Sequence, residues 1–149
     1  EIEPGRLIVG NAGILVSEAI YLKQGEGRDF LILDAAMNDL IRPAMYEAHH
    51  DIVPVIEPEA GLEQRPFDIV GPVCESGDTF AKGRMMPALG AGDLVAFRSA
   101  GAYGAVMSSE YNTRALIPEV LVKDDQFAVI RRRPSFDEII NRDSLPEWL

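Results

Sequence analysis

Positive charge is scarce in this chain. Of 149 residues, 14 are Lys or Arg against 24 Asp or Glu, a formal net charge of −10 and an isoelectric point of about 4.6. A phosphate backbone or an anionic membrane surface finds no electrostatic attraction here, so neither is expected as a partner. Lysine is scarcer still, at Lys23, Lys82 and Lys123 only. Cysteine occurs once, as Cys74, which excludes an internal disulfide and suits a reducing compartment such as the cytoplasm. No apolar run approaches the roughly 18 residues of a membrane span, and no basic-then-apolar signal pattern opens the chain. What is there is ordinary for a globular protein: 47% hydrophobic and 26% charged residues, with mean hydropathy +0.01. A chain of this length buries about 70% of its unfolded surface and makes one domain, or one domain plus a remnant of a neighbour. It starts at Glu1, before which an initiator Met is not normally trimmed, so it is expected to be a piece of a longer protein.

The apolar pattern is that of short strands broken by Gly, Pro, Asn and Asp. Gly13 to Lys23 alternates, Gln24-Gly25-Glu26-Gly27-Arg28-Asp29 supplies a turn, and Phe30 to Asp34 follows, which predicts a hairpin. Further strands are expected at Asp51–Ile56, Pro66–Val73, Leu94–Arg98, Pro118–Val122 and Gln126–Arg131, the last two joined across Lys123-Asp124-Asp125. The fold class is therefore mainly β, a closed or nearly closed antiparallel barrel or sandwich. Two short helices interrupt it. Asn38 is expected to cap a helix from Asp39 to Ala48, and Ser135 with Glu138 has the spacing of a capping box for a helix through Asn141. The Arg131-Arg132-Arg133 run, in so acidic a chain, reads as a solvated strand end or a contact for an acidic partner.

Four spots set reactive side chains among Gly and Pro, where backbone is shaped for approach. In Glu3-Pro4-Gly5-Arg6 the glycine lets a ligand near the main chain and Arg6 offers a fork for a phosphate or carboxylate. Arg42 and Tyr46 lie four apart and share a helix face, either as a carboxylate clamp or as a surface Arg stacked on a Tyr. Cys74-Glu75-Ser76-Gly77-Asp78 places the only thiol at a strand end in a polar turn. A lone Cys is more often a small buried hydrophobe, but this setting suits burial poorly. Neighbouring His49 and His50 with a single Cys have no zinc-ligand spacing. Tyr103 stands alone in Ser99-Ala100-Gly101-Ala102-Tyr103-Gly104-Ala105, facing a ligand or forming a β-corner.

In order and spacing these spots resemble the C-terminal half of the diaminopimelate decarboxylases, pyridoxal-phosphate enzymes of the alanine-racemase-like fold type. The resemblance rests on E-P-G-R, D-A-A-M-N-D-L-I-R-P-A-M-Y, G-P-V-C-E-S-G-D, G-A-Y-G and N-T-R-A-L-I-P-E-V-L-V, running from Glu3 to Val122. It implies a Greek-key-like β-domain over residues 12–149, with residues 1–11 as the tail of an N-terminal (β/α)8 barrel absent from this chain. It also implies a homodimer sharing its sites, pyridoxal 5'-phosphate as cofactor, meso-diaminopimelate as substrate, and L-lysine and CO2 as products. The lysine that holds the cofactor as a Schiff base would lie outside this chain, and none of its three lysines occupies such a position.

By the same resemblance, Glu3, Pro4, Gly5 and Arg6 cradle the cofactor phosphate, with Arg6 also reaching the substrate. Arg42 and Tyr46 bind substrate, and Tyr103 touches cofactor and substrate. Glu75 pairs with the distal ammonium, and Cys74 gives a proton to the α-carbon. The chemistry is coherent, because telling diaminopimelate from lysine needs a cation for the distal carboxylate and an anion for the distal ammonium. A thiol, titrating ordinarily near pH 8.5, is mostly protonated at neutrality and fits an acid role. The chain alone is expected to be inactive. The alternatives are a related decarboxylase of ornithine, arginine or carboxynorspermidine, or a free non-catalytic β-module.

Overall fold

The computed structural model describes residues 4–149, in two compact units, one running to Ser108 and the other spanning Ser109–Leu149. The first unit opens with helix α1 (Gly5–Val9) and a 3-10 turn at Gly10–Ala12. Then come β1 (Leu15–Gln24), β2 (Asp29–Leu33), α2 (Arg42–Tyr46), β3 (Ile52–Pro54), β4 (Gln64–Val70), β5 (Thr79–Pro87) and β6 (Leu94–Phe97). The expected hairpin is β1 and β2, paired antiparallel through Lys23 against Phe30 and Leu22 against Leu31. The six strands form one mixed, barrel-like sheet in the order β3-β6-β1-β2-β4-β5.

The mainly β class holds, with one correction to the pairing. β2 and β4 run parallel, Phe30 beside Asp68 and Leu31 beside Ile69. A parallel pair needs a long crossover, and the stretch carrying α2 and β3 between β2 and β4 provides it. Strand β5 was not legible in the sequence, because Lys82, Gly83 and Arg84 interrupt its apolar pattern; pairing with β4 forms it nonetheless. The core lies on the sheet's inner face, with Leu31, Leu33, Phe67, Ile69, Val95 and Phe97 fully buried and Phe80 edge-on to Phe97 at 4.7 Å between ring centres. Along β1, buried Leu15, Ser17 and Ala19 alternate with outward-facing Val16 and Glu18. Ser17 is satisfied: its hydroxyl donates to Asp34 Oδ1 at 2.6 Å and accepts from the Ala35 N–H at 3.0 Å.

Helix α2 is shorter than the sequence implies. Asn38 does not cap it; its amide donates to Asp39 Oδ1 at 3.3 Å, while Asp39 Oδ2 takes the Ala36 N–H at 2.9 Å. The residue before the helix is Ile41, Pro43 sits in its first turn, and Glu47 ends it in the left-handed region at φ 53° with its N–H on the Arg42 carbonyl. Buried side-chain hydrogen bonds thus use up the residues that local spacing assigned to a cap.

The second unit contains β7 (Glu119–Lys123) and β8 (Gln126–Arg131), an antiparallel hairpin, then α3 (Phe136–Ile140). The capping box is present in full: Ser135 Oγ accepts the Glu138 N–H and Glu138 accepts the Ser135 N–H. The arginine run is a solvated strand end, Arg131 bridging Glu119 at 2.6 Å and Arg132 bridging Glu138. The Arg132 guanidinium holds the Glu138 carboxyl down to about 2. Among the described residues no helix is long and apolar enough to cross a membrane.

Candidate active site

All the candidate residues fall in the first unit; Glu3 lies outside the described residues. Pro4 precedes α1, and Gly5 and Arg6 form its first turn. Tyr103 folds over this turn, its hydroxyl 3.8 Å from where a Cβ on Gly5 would lie. The loop carrying Tyr103 is held there by close main-chain approach. Gly101 donates its N–H to the Gly10 carbonyl at 3.0 Å, and Ala100 donates to Gly13 at 2.9 Å. A Cβ on Gly101 would sit 2.1 Å from the Val9 carbonyl oxygen, which no L side chain tolerates. Ser99 adds a hydroxyl bond to Asn11 Oδ1 at 2.7 Å. Tyr103 itself has φ 57°, an uncommon conformation for a bulky residue, and its side chain is 47% exposed. Backbone contacts, rather than packing, aim this phenol at the α1 turn.

Arg42 opens α2 and Tyr46 closes it one turn later, 59% exposed. The Arg42 guanidinium donates through Nη1 to His50 Nε2 at 3.2 Å, and His50 Nδ1 bonds the Arg98 carbonyl at 3.0 Å. A carbonyl only accepts, so Nδ1 carries the hydrogen and Nε2 keeps the lone pair that takes the Arg42 N–H. Burial lowers the His50 pKa most; the Arg98 carbonyl raises it, and the charges of Arg42, Arg6 and His49 lower it further. The Arg6 charge is thus felt at the same ring as that of Arg42. Tyr103 lies over the turn that carries Arg6, and His50 ties Arg42 to the Arg98 carbonyl at the head of the Tyr103 loop, which makes Arg6 and Arg42 with this phenol a candidate cationic edge for carboxylate or phosphate.

Cys74 and Glu75 occupy the turn between β4 and β5. Cys74 is an exposed free thiol, and Glu75 accepts from Ser76 Oγ at 3.3 Å. Buried Asp78 builds this turn: Oδ2 accepts the Val73 N–H at 2.8 Å and Oδ1 the Met37 N–H at 2.7 Å, while its carbonyl accepts from Gly71 at 3.1 Å. Gly71 is required by the same contact, since a Cβ there would lie 2.3 Å from Asp78 Oδ2. No hydrogen bond or ion pair among the described residues joins Cys74 or Glu75 to Arg6, Arg42, Tyr46 or Tyr103. The described residues therefore offer two candidate edges, a cationic one with a phenol and an acidic one with a thiol, and the second lies near α2, since Ser76 and Gly77 line one pocket with Ala44, Glu47 and Ala48.

Sequence reasoning missed His50, weighed only as a metal ligand, and the supporting roles of Asp78 and Gly101. Their partners stand far off in sequence, 48 residues for His50 to Arg98 and 41 for Asp78 to Met37. The lysines occupy exposed strand positions: Lys23 near the end of β1, Lys82 within β5, and Lys123 at the end of β7 in the second unit. Gly5, with only the Tyr103 hydroxyl among the described residues within 4 Å of a would-be Cβ, and the guanidinium of Arg6 beside it are compatible with an anionic group such as a cofactor phosphate.

Residues 7–101 match the family described as pyridoxal-dependent decarboxylase, C-terminal sheet domain. The diaminopimelate decarboxylase of Pseudomonas fluorescens is 54% identical over 143 residues, covering 96% of this chain and 34% of that protein. The crystal structure of diaminopimelate decarboxylase from Helicobacter pylori complexed with L-lysine aligns with TM-score 0.86 and 41% identity, over 94% of this chain and 34% of that one. The enzyme of the same name from M. jannaschii, in co-complex with L-lysine, aligns with TM-score 0.90 and 34% identity, over 97% and 33%. The chain spans about a third of the length of the relatives it matches. It belongs to the pyridoxal-dependent decarboxylases, whose C-terminal sheet domain it contains.

Proposed function

We propose that this chain is the C-terminal part of a pyridoxal-phosphate-dependent carboxy-lyase, active as a cytoplasmic homodimer, that converts meso-diaminopimelate to L-lysine and CO2. On this reading residues up to about Asn11 are the tail of a cofactor-binding barrel, and residues 12–149 are the β-domain. The observation that carries it is the pairing of the two edges. Arg42, steadied by His50, supplies the cation and Glu75 the anion that a substrate with a second amino-acid centre requires, and Cys74 stands next to Glu75. The near-full coverage of this chain by named diaminopimelate decarboxylases supports the same choice.

When bound, pyridoxal phosphate supplies a sink for the electron pair left on the α-carbon as the C–C bond breaks and CO2 departs. The chain's own residues do the rest. Gly5 and Arg6 hold an anionic oxygen group at the α1 turn, and Tyr103 orients cofactor and substrate above it. Arg42 and Tyr46 bind the distal carboxylate, and Glu75 pairs with the distal ammonium. The Cys74 thiol gives its proton to the α-carbon, and the thiolate recovers a proton from solvent, so the cycle consumes one proton overall.

On this reading the site is completed by a second subunit, each chain lending its Cys74-Glu75 turn to the partner. The decisive experiment assays the full-length enzyme for lysine formation, with ornithine, arginine and carboxynorspermidine as competing substrates. Lysine formation no faster than turnover of those three overturns the substrate assignment. The 149-residue chain by itself should develop no visible absorption from covalently held cofactor when mixed with pyridoxal phosphate. A stoichiometric band would place the linking lysine among Lys23, Lys82 and Lys123, against this reading.

A further inference from the structure

We propose that His50 is a positioning residue whose ring, fixed between the Arg98 carbonyl and the Arg42 guanidinium, sets the direction in which Arg42 meets the distal carboxylate of the substrate. This rests on the diaminopimelate reading above and assigns a part to a residue that the reading leaves idle. His50 is buried, so both ring nitrogens need partners, and they have them, at 3.0 Å on the Arg98 carbonyl and 3.2 Å on Arg42 Nη1. The ring is anchored from behind, since its own carbonyl accepts from Arg84 Nη2 of β5 at 3.1 Å. Arg98 donates its N–H to the Asp51 carbonyl at 2.8 Å, which locks the two chain segments beside each other. Arg98 also leads directly into the Ser99–Tyr103 loop. His50 therefore connects the Arg42 helix to the Tyr103 loop, the two parts of the cationic edge.

A guanidinium on a free side chain loses rotamer freedom when it binds a carboxylate; one already held by a single N–H loses less and keeps four N–H donors for the ligand. The hold depends on the ring's lone pair. The groups bearing on the ring are the charges of Arg42 and Arg6 and the neighbouring His49, whose Nδ1 accepts from Arg84 Nη2 at 3.2 Å and whose Nε2 meets Asp51 at 3.1 Å, with Arg84 also at the His50 carbonyl. Protonation would turn Nε2 into a donor facing the Arg42 N–H and would release the guanidinium.

The test uses the full-length enzyme, comparing KM for diaminopimelate with inhibition by L-lysine, which has no distal carboxylate for Arg42 to hold. A Gln amide oxygen reaches the place of ring Nε2, whereas an Asn amide stops at the place of Nδ1. His50→Asn should raise KM about tenfold, leaving kcat and lysine inhibition within about twofold, and His50→Gln should recover most of the loss. In the wild type the ratio of KM to the lysine inhibition constant should climb only as pH falls below the ordinary histidine range, since burial and the nearby arginines lower the His50 pKa, and in His50→Asn that ratio should stay flat. A KM within twofold of wild type in His50→Asn, or lysine inhibition weakened to the same extent as KM, overturns the proposal. Arg42→Ala measured alongside separates the two readings. If it raises KM while His50→Asn does not, only the positioning role falls; if it too leaves KM unchanged, the Arg42 assignment falls and this one with it. Should the His50 variants fail to fold, a wild-type ratio that stays flat down to the lowest pH at which the enzyme remains folded is itself the overturning result.

Discussion

In the full-length enzyme, Cys74→Ala is expected to lower kcat for diaminopimelate by about 10²–10⁴-fold, the span that a positioned general acid contributes, with KM moving only a few fold. The split follows from what the thiol touches. On the proposed reading Glu75 and Arg42 bind the distal end of the substrate and are intact in the variant, whereas Cys74 is asked to meet only the reacting α-carbon. Cys74→Ser should sit closer to Ala than to the wild type, because a hydroxyl is a far weaker acid than a thiol. Pairing variants tests where the thiol works. If each Cys74-Glu75 turn serves the partner's site, mixing Cys74→Ala subunits with Arg42→Ala subunits, assayed at substrate far below the KM of the Arg42 variant, leaves one intact site in every mixed dimer, about a quarter of the wild-type sites under random exchange. No recovery on mixing would confine the site to one chain, and unchanged turnover in Cys74→Ala would remove the thiol from the reaction.

Much of the fold could be read from the sequence where cause and effect are neighbours. The β1–β2 and β7–β8 hairpins follow from alternation ending in Gly- or Asp-rich turns, and α3 from Ser135 with Glu138, because a strand face and a capping box are decided within a few residues. Strand β5 was invisible because its partner, not its own pattern, makes it a strand. The expected Asn38 cap failed because buried hydrogen bonds around Asp39 took precedence over local spacing, and Glu47 in the left-handed region closed α2 early. The parallel β2–β4 pairing is a matter of where the chain returns after a crossover, which no local window records.

The site divides in the same way. Arg6, Arg42, Tyr46, Cys74, Glu75 and Tyr103 could be proposed because each sits in a short segment whose order resembles a family, and short segments survive as readable text. The residues that hold them in place were not found. His50 looks in sequence like half of a histidine pair, and only the Arg98 carbonyl and the Arg42 guanidinium show what its two nitrogens do. Gly101 looks like one more small residue in a loose loop, and only the Val9 carbonyl beside it explains why nothing larger fits.

Asp78 is the supporting residue whose loss should be felt most widely. Its carboxylate is buried and takes two main-chain N–H groups, from Val73 on the thiol turn and from Met37 on the segment leading towards α2. Asp78→Ala leaves both part-buried donors without an acceptor, at the low end of about 1–3 kcal/mol each, so a loss of about 2–3 kcal/mol is expected overall. Urea denaturation of the chain should show this as a lower midpoint at unchanged slope. Asp78→Asn separates charge and acceptor from simple volume: it fills the same space and keeps one acceptor, but turns an NH2 towards an N–H, so it should fall between Ala and wild type. In the full-length enzyme at a temperature where Asp78→Asn stays folded, kcat should drop more than KM rises, because the bond to Val73 fixes the turn that carries Cys74. Stability within about 0.5 kcal/mol of wild type for Asp78→Ala would mean that water or a shifted main chain satisfies both donors, and the turn would then owe its shape to Gly71 and the β4–β5 pairing instead.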